Sequence, residues 1–254
     1  MLSRLRMVAH AAMPIAATRA LEARRLFRAR GLDPSLRAAF EAWLGRVHLL
    51  PAAIDLRTAT VVDLGANEGI FSAGVLAVAP QAHVIAVEPG PEPLARLRSR
   101  LAEYPNVDIQ AVAVARESGR ATFHLTGHDH NSSLRAPRSE SRDVLGDGAA
   151  VVETIDVPTV SLDDLVGTRE VDVLKVDVQG SELDVLRGGR QALARTRAVL
   201  LEMNFFSQYE GDATFGPLHA EMTELGFELV NVSPTLTTPD GTAVFVDGCY
   251  SRRP

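Results

Sequence analysis

An acid and two glycines follow an apolar run near residue 61, a combination typical of a turn that binds a nucleotide-like ligand. Residues 61–64 include Asp63 and predict a buried strand, and Gly65 and Gly69 follow four residues apart. Glycine adopts left-handed backbone conformations without a Cβ penalty. The first glycine can therefore reverse the chain, and the second lets a flat ligand approach the start of the next helix.

A second acid, Glu88, ends the apolar run 83–87 and lies nineteen residues after Gly69. In a parallel sheet this strand end would lie beside the first, where a carboxylate can bind the hydroxyls of a ribose. Residues 70–72 contain no glycine, so the third glycine of the dinucleotide fingerprint is missing. This favours an adenosyl ligand without phosphates, and S-adenosylmethionine is the first candidate. A nicotinamide cofactor is the alternative.

Four acids stand at or near the ends of predicted parallel strands, namely Asp63, Glu88, Asp177 and Glu202. Ligands of open parallel sheets bind at this edge, and buried acids are costly unless each has a partner. The convergence of four acids therefore predicts a polar site. Two other roles stay open, since Asp63 could serve only the glycine turn and Glu202 could cap a neighbouring helix.

Strand and helix patterns alternate along the chain, which predicts a doubly wound, Rossmann-like α/β fold. We predict five parallel strands, at 61–65, 83–88, 107–114, 171–176 and 198–201. Two further β runs are joined by a Pro-Asp-Gly turn and predict an antiparallel C-terminal edge, at 227–232 and 242–246. The expected sheet is therefore mostly parallel and has seven strands.

Helices are expected between these strands, at 69–79, 91–103, from 180 onward and at 217–225. Between the third and fourth strands, two β-rich runs at 119–126 and 151–160 flank a polar segment. That segment, residues 127–148, is predicted to be a mobile loop. A helical lead-in suggests an N-terminal helical extension at 1–50, followed by the ligand-binding domain at 51–254.

Composition restricts the classes of function. Hydrophobic residues make up 46% of the 254, enough for one domain with a sizeable core. A single cysteine, Cys249, excludes an internal disulfide and a multi-cysteine metal site, and it fits a reducing cytoplasm. No metal site is predicted.

The net charge of −6 is unevenly distributed, because residues 1–31 carry +6 and the remainder carries −12. The acidic body is not expected to bind nucleic acid. The N-terminal apolar stretch is interrupted by His10 and Pro14, so neither export nor stable membrane insertion is predicted. The basic segment could form a solvated amphipathic helix or one that binds a membrane surface or a partner. A homo-oligomer is left open.

A second motif, Lys-Val-Asp-Val-Gln-Gly-Ser-Glu, occupies residues 175–182, and Leu-Asp-Asp-Leu stands at 162–165. Together with the glycine turn and Glu88-Pro89, in this order and spacing, they resemble the FkbM-type family of S-adenosylmethionine-dependent methyltransferases. The resemblance covers about residues 62–230. It implies a class I methyltransferase sheet and O-methylation of a small-molecule hydroxyl on a sugar, glycolipid or natural product. The chain departs from the family at Gln179, where glutamate is commoner.

The resemblance implies that the glycine turn and the neighbouring strand ends bind the cofactor. Glu88 would bind the ribose hydroxyls, and Pro89 and Ala113 would bound the adenine. The full set implied for this role is Asp63, Gly65, Ala66, Asn67, Gly69, Phe71, Glu88, Pro89, Ala113 and Asp177.

Methyl transfer to a hydroxyl needs an in-line arrangement and a base for the hydroxyl proton. Asp177 is the preferred base because it stands at a strand end, and His130 is the alternative. Glu182 is a third catalytic candidate, although the first turn of a helix should lower its pKa and weaken it as a base. His128 and His130 could instead belong to an exposed polar turn.

Five residues are candidates for contact with the acceptor: Asn131, Ser132, Glu202, Phe205 and Tyr209. The first two belong to a polar patch that the family often carries. The aromatic rings could stack on a sugar face or fill a small satellite core. A binding protein that keeps this fold without transfer activity is a further interpretation.

Overall fold

The structure, a computed structural model, describes residues 49–51, 53–141 and 146–252. The predicted helical extension at 1–50 lies outside the described residues apart from Leu49 and Leu50, which are buried in the core. The domain boundary at residue 51 stays a prediction.

The described residues form eleven strands. In chain order they are β1 Thr60–Leu64, β2 His83–Val87, β3 Val107–Gln110, β4 Ala113–Ala115, β5 Gly119–Thr126, β6 Val151–Ser161, β7 Val171–Val176, β8 Thr196–Asn204, β9 Glu228–Val232, β10 Leu236–Thr237 and β11 Ala243–Ser251.

Eight of these strands form the main sheet, in the order β10-β11-β8-β7-β1-β2-β3, with β9 paired to β11. The pairs among β3, β2, β1, β7 and β8 are parallel, whereas β11 runs antiparallel to β8, β9 and β10. This confirms a mostly parallel α/β sheet with an antiparallel C-terminal edge. The predicted seven strands are all present, and the eighth is the two-residue β10.

The strand order reverses beside β1. The chain proceeds outward from β1 through β2 to β3 and then returns to place β7 on the other side of β1. In open α/β sheets the crevice for a ligand lies at such a reversal, at the carboxyl ends of the strands. The topology therefore directs attention to the residues that follow β1 and β7.

Helices cover both faces of the sheet, which is why strands such as β1 and β7 are buried along nearly their whole length. The described helices are α1 Ile70–Val78, α2 Pro91–Leu101, α3 Leu162–Val166, α4 Glu182–Arg187, α5 Arg190–Ala194 and α6 Phe215–Glu224. Helices α1 and α2 pack in one core cluster, and α4, α5 and α6 pack in the other. Among these residues, no helix has the length and apolar character needed to span a bilayer.

A separate three-stranded sheet, in the order β4-β6-β5, lies between β3 and β7 in the sequence. The single strand predicted at 107–114 is therefore wrong in extent, because the chain leaves the main sheet after Gln110 and enters the second sheet at Ala113. The predicted runs at 119–126 and 151–160 correspond to its antiparallel pair β5 and β6. Within segment 127–148, the described residues form three short 3-10 turns, at Asp129–Asn131, Ser139–Ser141 and Asp147–Ala149.

The C-terminal hairpin differs in one detail from the prediction. The Pro-Asp-Gly turn joins the short strand β10 to β11, and Thr238 and Thr242 hydrogen-bond across it. Strand β9 pairs with the far half of β11 instead. Residues 233–235 thus separate two strands that both pair with β11.

An ion cluster around the buried carboxylate of Glu221 attaches α6 to α4 and α5. Glu221 accepts hydrogen bonds from Arg187 Nε at 3.2 Å and from a terminal nitrogen of Arg190 at 2.6 Å, and its side chain is 7% exposed. We expect Glu221→Ala to lower the free energy of unfolding by about 1–3 kcal/mol, because two guanidinium groups lose their shared carboxylate. Urea denaturation would measure the change.

Glu224→Ala is the matched control, since Glu224 lies on the same helix with its side chain exposed. It should change the free energy of unfolding by no more than about 0.5 kcal/mol. Equal effects of the two substitutions would contradict the role of the cluster.

Candidate active site

The glycine turn after β1 has the backbone conformation that its sequence predicts. Gly65 and Gly69 have φ angles of +69° and +82°, and Asn67 between them has a φ of 48°. A Cβ atom on Gly65 would lie 1.8 Å from the carbonyl oxygen of Asp177, so only glycine fits there. The turn is therefore pressed against the backbone that follows β7.

Glu88 holds the glycine turn from the end of β2. Its Oε2 accepts a hydrogen bond from the amide of Asn67 at 2.9 Å, and its Oε1 accepts one from the amide of Gly90 at 2.7 Å. Burial raises the pKa of Glu88 to about 7, and the backbone hydrogen bonds oppose this shift. The carboxyl group nevertheless lines a cavity at this edge of the sheet.

Lys175, at the fifth position of β7, joins three parts of the site. Its Nζ lies 3.3 Å from Oδ1 of Asp63 and 3.4 Å from Oδ2 of Asp177, and it donates to the carbonyl oxygen of Gly65 at 2.9 Å. Asp63 also accepts from the hydroxyl of Ser72 at 2.6 Å and is fully buried. Asp63 is therefore a buried structural partner, whereas Asp177 reaches the cavity wall.

Gln179 lies between two carboxylates. Its Nε2 donates to Oδ1 of Asp177 at 2.7 Å and to Oε1 of Glu202 at 3.2 Å, and its Oε1 accepts from the hydroxyl of Tyr209 at 2.7 Å. The residue has a φ of 56°, and its carbonyl oxygen accepts from the hydroxyl of Ser133 at 2.6 Å. The side-chain amide thus links the ends of β7 and β8.

Glu182 has a different environment from the one its sequence position suggests. Its Oε1 accepts hydrogen bonds from the amides of Val178 at 3.0 Å and Gly180 at 3.2 Å. The expectation that the helix start lowers its pKa is wrong, because burial raises the pKa of Glu182 to about 7. Through these two hydrogen bonds its carboxyl group stabilises the turn after β7.

The polar segment after β5 passes over the cavity. Thr126 donates its hydroxyl to the carbonyl oxygen of His128 at 2.6 Å, and its own amide donates to the hydroxyl of Ser132 at 3.1 Å. Asp129 forms an ion pair with Arg96 of α2. His130 lies on the cavity wall, although its side chain is 70% exposed.

These parts enclose one cavity of about 330 Å³, a size within the range of small-molecule sites. The structure brings ten of the predicted site residues together on its wall: Gly65, Asn67, Glu88, Pro89, Ala113, His130, Asn131, Ser132, Asp177 and Glu202.

The other predicted site residues lie away from the wall. Ala66 and Phe71 are buried in the core, and Gly69 packs against Leu97 at the start of α1. Asp63 and Glu182 bind buried partners, as described above. Tyr209 is fully buried beneath Gln179, and the ring of Phe205 stacks on Phe215 with centroids 5.5 Å apart.

Several wall residues were not predicted from the sequence. Leu236, Val244 and Phe245 come from the C-terminal hairpin, and Phe123 and Leu134 come from the second sheet and the segment after it. Apolar residues at strand ends carry no chemical signal, so only the topology identifies them. Gln208 and Gln179 also line the wall, and the second of these stands in a recognisable motif.

Residues 63–229 match the family described as "Methyltransferase FkbM domain". The chain belongs to the FkbM methyltransferase family. This confirms the resemblance carried by the glycine turn and the 175–182 motif. As a member of the FkbM family, the chain is an S-adenosylmethionine-dependent methyltransferase, and the oxidoreductase interpretation loses its support.

Three curated FkbM-type relatives show the extent of the similarity. The 2-O-methyltransferase NoeI of Sinorhizobium fredii is 32% identical over 188 residues, which are 68% of this chain and 74% of NoeI. The 31-O-demethyl-FK506 methyltransferase FkbM of Streptomyces tacrolimicus is 30% identical over 202 residues, 70% of this chain and 76% of that protein. The hexuronic acid methyltransferase AglP of Haloferax volcanii is 30% identical over 146 residues, 56% of this chain and 54% of AglP.

Glu182 should make the stability of this FkbM family member depend on pH. Its pKa is about 7 in the folded chain against an ordinary value of 4.5, so between these pH values the folded state holds a proton that the unfolded state has released. Stability contributed by this group therefore falls as pH rises from about 4.5 to 7. The loss is up to roughly 3 kcal/mol by the conversion of pKa shifts into free energy.

Glu182→Gln keeps an oxygen that can accept both backbone hydrogen bonds but does not titrate. We expect the variant to lose less stability than the unaltered chain between pH 5 and pH 8, as measured by urea denaturation across this range. Parallel pH profiles for the two proteins would contradict the assignment.

Proposed function

We propose that the chain transfers a methyl group from S-adenosylmethionine to a hydroxyl of a small molecule of the sugar, glycolipid or natural-product class. The observation that carries this proposal is the single cavity that joins the Glu88-bound glycine turn to the carboxylates of Asp177 and Glu202. One end of this cavity suits an adenosyl group, and the other suits a polar acceptor.

The residues at the cofactor end fit an adenosyl ligand. Gly65 and Asn67 place the glycine turn on the cavity wall, and Glu88 offers a carboxylate to a ribose diol. Pro89, Ala113 and their apolar neighbours Val87, Val112 and Val114 suit the faces of an adenine. The glycine turn is supported from the core side by four of the predicted residues: Asp63, Ala66, Gly69 and Phe71.

The bound donor would supply an electrophilic methyl group on a sulfonium. The acceptor oxygen would form a bond to the methyl carbon as the carbon–sulfur bond breaks, and the bonding electrons would remain on sulfur. The chain must align the oxygen with that bond, exclude water and remove the hydroxyl proton.

Asp177 is the proposed base. It lies on the cavity wall at the end of β7, and its two oxygens are oriented by Lys175 and Gln179. A hydroxyl that donates to this carboxylate would give up its proton there as the new bond forms. His130 is the alternative base on the same wall, and Glu182 acts at a distance by holding the turn that carries Asp177.

The acceptor class rests on the polar residues of the wall and on the relatives. Asn131, Ser132, Glu202 and Gln208 offer hydrogen-bonding groups of the kind that bind hydroxyls. The names of the relatives describe a 2-O-methyltransferase, a 31-O-demethyl-FK506 methyltransferase and a hexuronic acid methyltransferase. The first two names specify transfer to an oxygen and support a hydroxyl acceptor, and the third supports a sugar-like acceptor.

Isothermal titration of the purified chain with S-adenosylmethionine, S-adenosylhomocysteine and NAD(H) tests the cofactor. We expect the two sulfur ligands to bind and NAD(H) not to bind. Glu88→Gln should weaken S-adenosylmethionine binding by ~1–3 kcal/mol, because a charge-assisted hydrogen bond to the ribose is lost.

Glu92→Gln is the control for this titration, since Glu92 is an exposed acid in the first turn of α2. It should leave the affinity unchanged. If Glu88→Gln binds the cofactor as tightly as the control does, the ribose assignment is wrong.

Asp177→Asn tests the base. We expect the affinity for S-adenosylmethionine to stay within several-fold while the transfer rate falls by ~10²-fold or more, the usual scale of a general base. The rate would be followed as release of S-adenosylhomocysteine with a methylated acceptor.

Asp156→Asn removes an exposed carboxylate on β6, outside the cavity, and should leave the transfer rate unchanged. Equal rates for Asp177→Asn and the control would remove Asp177 from catalysis. Cofactor binding without transfer to any hydroxyl acceptor would favour the binding-protein interpretation.

A further inference from the structure

The cavity end opposite Glu88 is built around two carboxylates that share one amide. Asp177 follows β7, Glu202 lies near the end of the adjacent β8, and Nε2 of Gln179 donates to both. A primary amide has two N–H groups, so both are used in this arrangement. The two acids are therefore held side by side by one neutral amide, with Lys175 on the far side of Asp177.

The orientation of this amide is fixed by its other partner. Tyr209 donates its hydroxyl to Oε1 of Gln179, and burial raises the pKa of Tyr209, so the phenol stays protonated and acts as the donor. The backbone of Gln179 is fixed as well, because Ser133 donates to its carbonyl oxygen. The amide nitrogen must accordingly face the two carboxylates.

The charged residues of the wall are nearly all acidic. Glu88, Asp129, Asp177 and Glu202 line the cavity, and its described lining includes no lysine or arginine. Cations lie behind the wall and are shared with its acids. The one charge of Lys175 is shared between Asp63 and the wall residue Asp177, and Arg96 pairs with Asp129, so the carboxylates outnumber the cations. Arg135 pairs with Asp184 and donates to the carbonyl oxygen of Glu210.

An anionic acceptor would have to lie against these carboxylates, where like charges repel. A hydroxyl or an amine would instead find acceptors for its hydrogen bonds. Charge complementarity of this kind discriminates mainly by rejecting the wrong ligand.

We propose that Gln179 is a positioning residue that presents Asp177 and Glu202 as a paired-carboxylate wall, and that this wall selects uncharged or cationic hydroxyl acceptors over anionic ones. The inference rests on the proposed function, because it concerns the acceptor end of the same cavity. It narrows the acceptor class to neutral sugars, amino sugars and similar polyols.

The test compares matched pairs of methyl glycosides that differ only in charge: glucoside with glucuronide, galactoside with galacturonide, and mannoside with mannuronide. Release of S-adenosylhomocysteine by the full chain gives kcat/KM for each member. We expect the neutral member of the methylated pair to be preferred at least tenfold. Equal or better use of the uronate would overturn the inference.

Two substitutions connect this preference to the named residues. Glu202→Gln removes one charge at nearly constant shape and should raise the relative kcat/KM for the uronate at least fivefold. Gln179→Glu places a third carboxylate beside the other two. It should lower the relative kcat/KM for the uronate below that of the unaltered chain. A loss of folding alone would reduce turnover of both members and leave their ratio unchanged, which would count against the inference.

Glu224→Gln is the control, since it removes a negative charge from the exposed face of α6 and should not alter the ratio. Calorimetric titration with S-adenosylmethionine on the same preparations distinguishes a failure of the proposed function from a failure of the acceptor inference. Cofactor binding with preference for uronates overturns the acceptor inference alone. Absence of cofactor binding overturns the proposed function itself. Cofactor binding with none of the glycosides methylated overturns the narrowing of the acceptor class to sugars.

Discussion

The buried ammonium group of Lys175 holds the carboxyl ends of the two central strands together. Its side chain is 5% exposed and contacts carboxylates on both sides, Asp63 in β1 and Asp177 after β7. It also donates to the carbonyl oxygens of Leu64 and Gly65 in the glycine turn. A buried charge is tolerated only when its partners are in place, so the turn and Asp177 are positioned by the same ion. The one lysine in the chain thus connects the glycine turn to Asp177 on the cavity wall.

The sequence predicts the central sheet well because its signals are local. Each parallel strand is a short apolar run, and the glycines and acids at the strand ends mark the site edge. The second sheet was not predicted, because β4 is only three residues long and pairs with β6, which lies far along the chain. Pairing between distant segments leaves no pattern in either segment alone. For the same reason the hairpin residues Leu236, Val244 and Phe245 were not recognised as part of the cavity wall.

Strand-end acids look alike in the sequence but have different roles in the structure. Asp63 and Glu182 are buried and bind internal donors, whereas Asp177 and Glu202 reach the cavity. All four stand in or beside the same kind of motif, so their positions along the chain do not separate them. Whether an acid is buried or faces the cavity depends on its neighbours in space, such as the hydroxyl of Ser72 for Asp63 or the backbone amides of the turn after β7 for Glu182. All of these carboxylates bind groups inside the protein, and what distinguishes Asp177 and Glu202 is that they also line the cavity, where a ligand can contact them.

The cavity wall divides along the boundary of the family match. The glycine turn, Glu88 and the 175–182 motif lie within residues 63–229, whereas Leu236, Val244 and Phe245 come after it. The family match therefore covers the motifs of the cavity wall but not the apolar residues that the C-terminal hairpin adds to it. The C-terminal hairpin is attached through β11, which pairs with β8 along seven positions, from Phe245 opposite Asn204 to Ser251 opposite Ala198. Because this register is set inside the core, the hairpin tip can change in sequence without disturbing Glu202, the acid that β8 contributes. Related chains can therefore keep the carboxylate at position 202 while the apolar residues of the hairpin differ. This would let them keep one reaction and methylate different molecules.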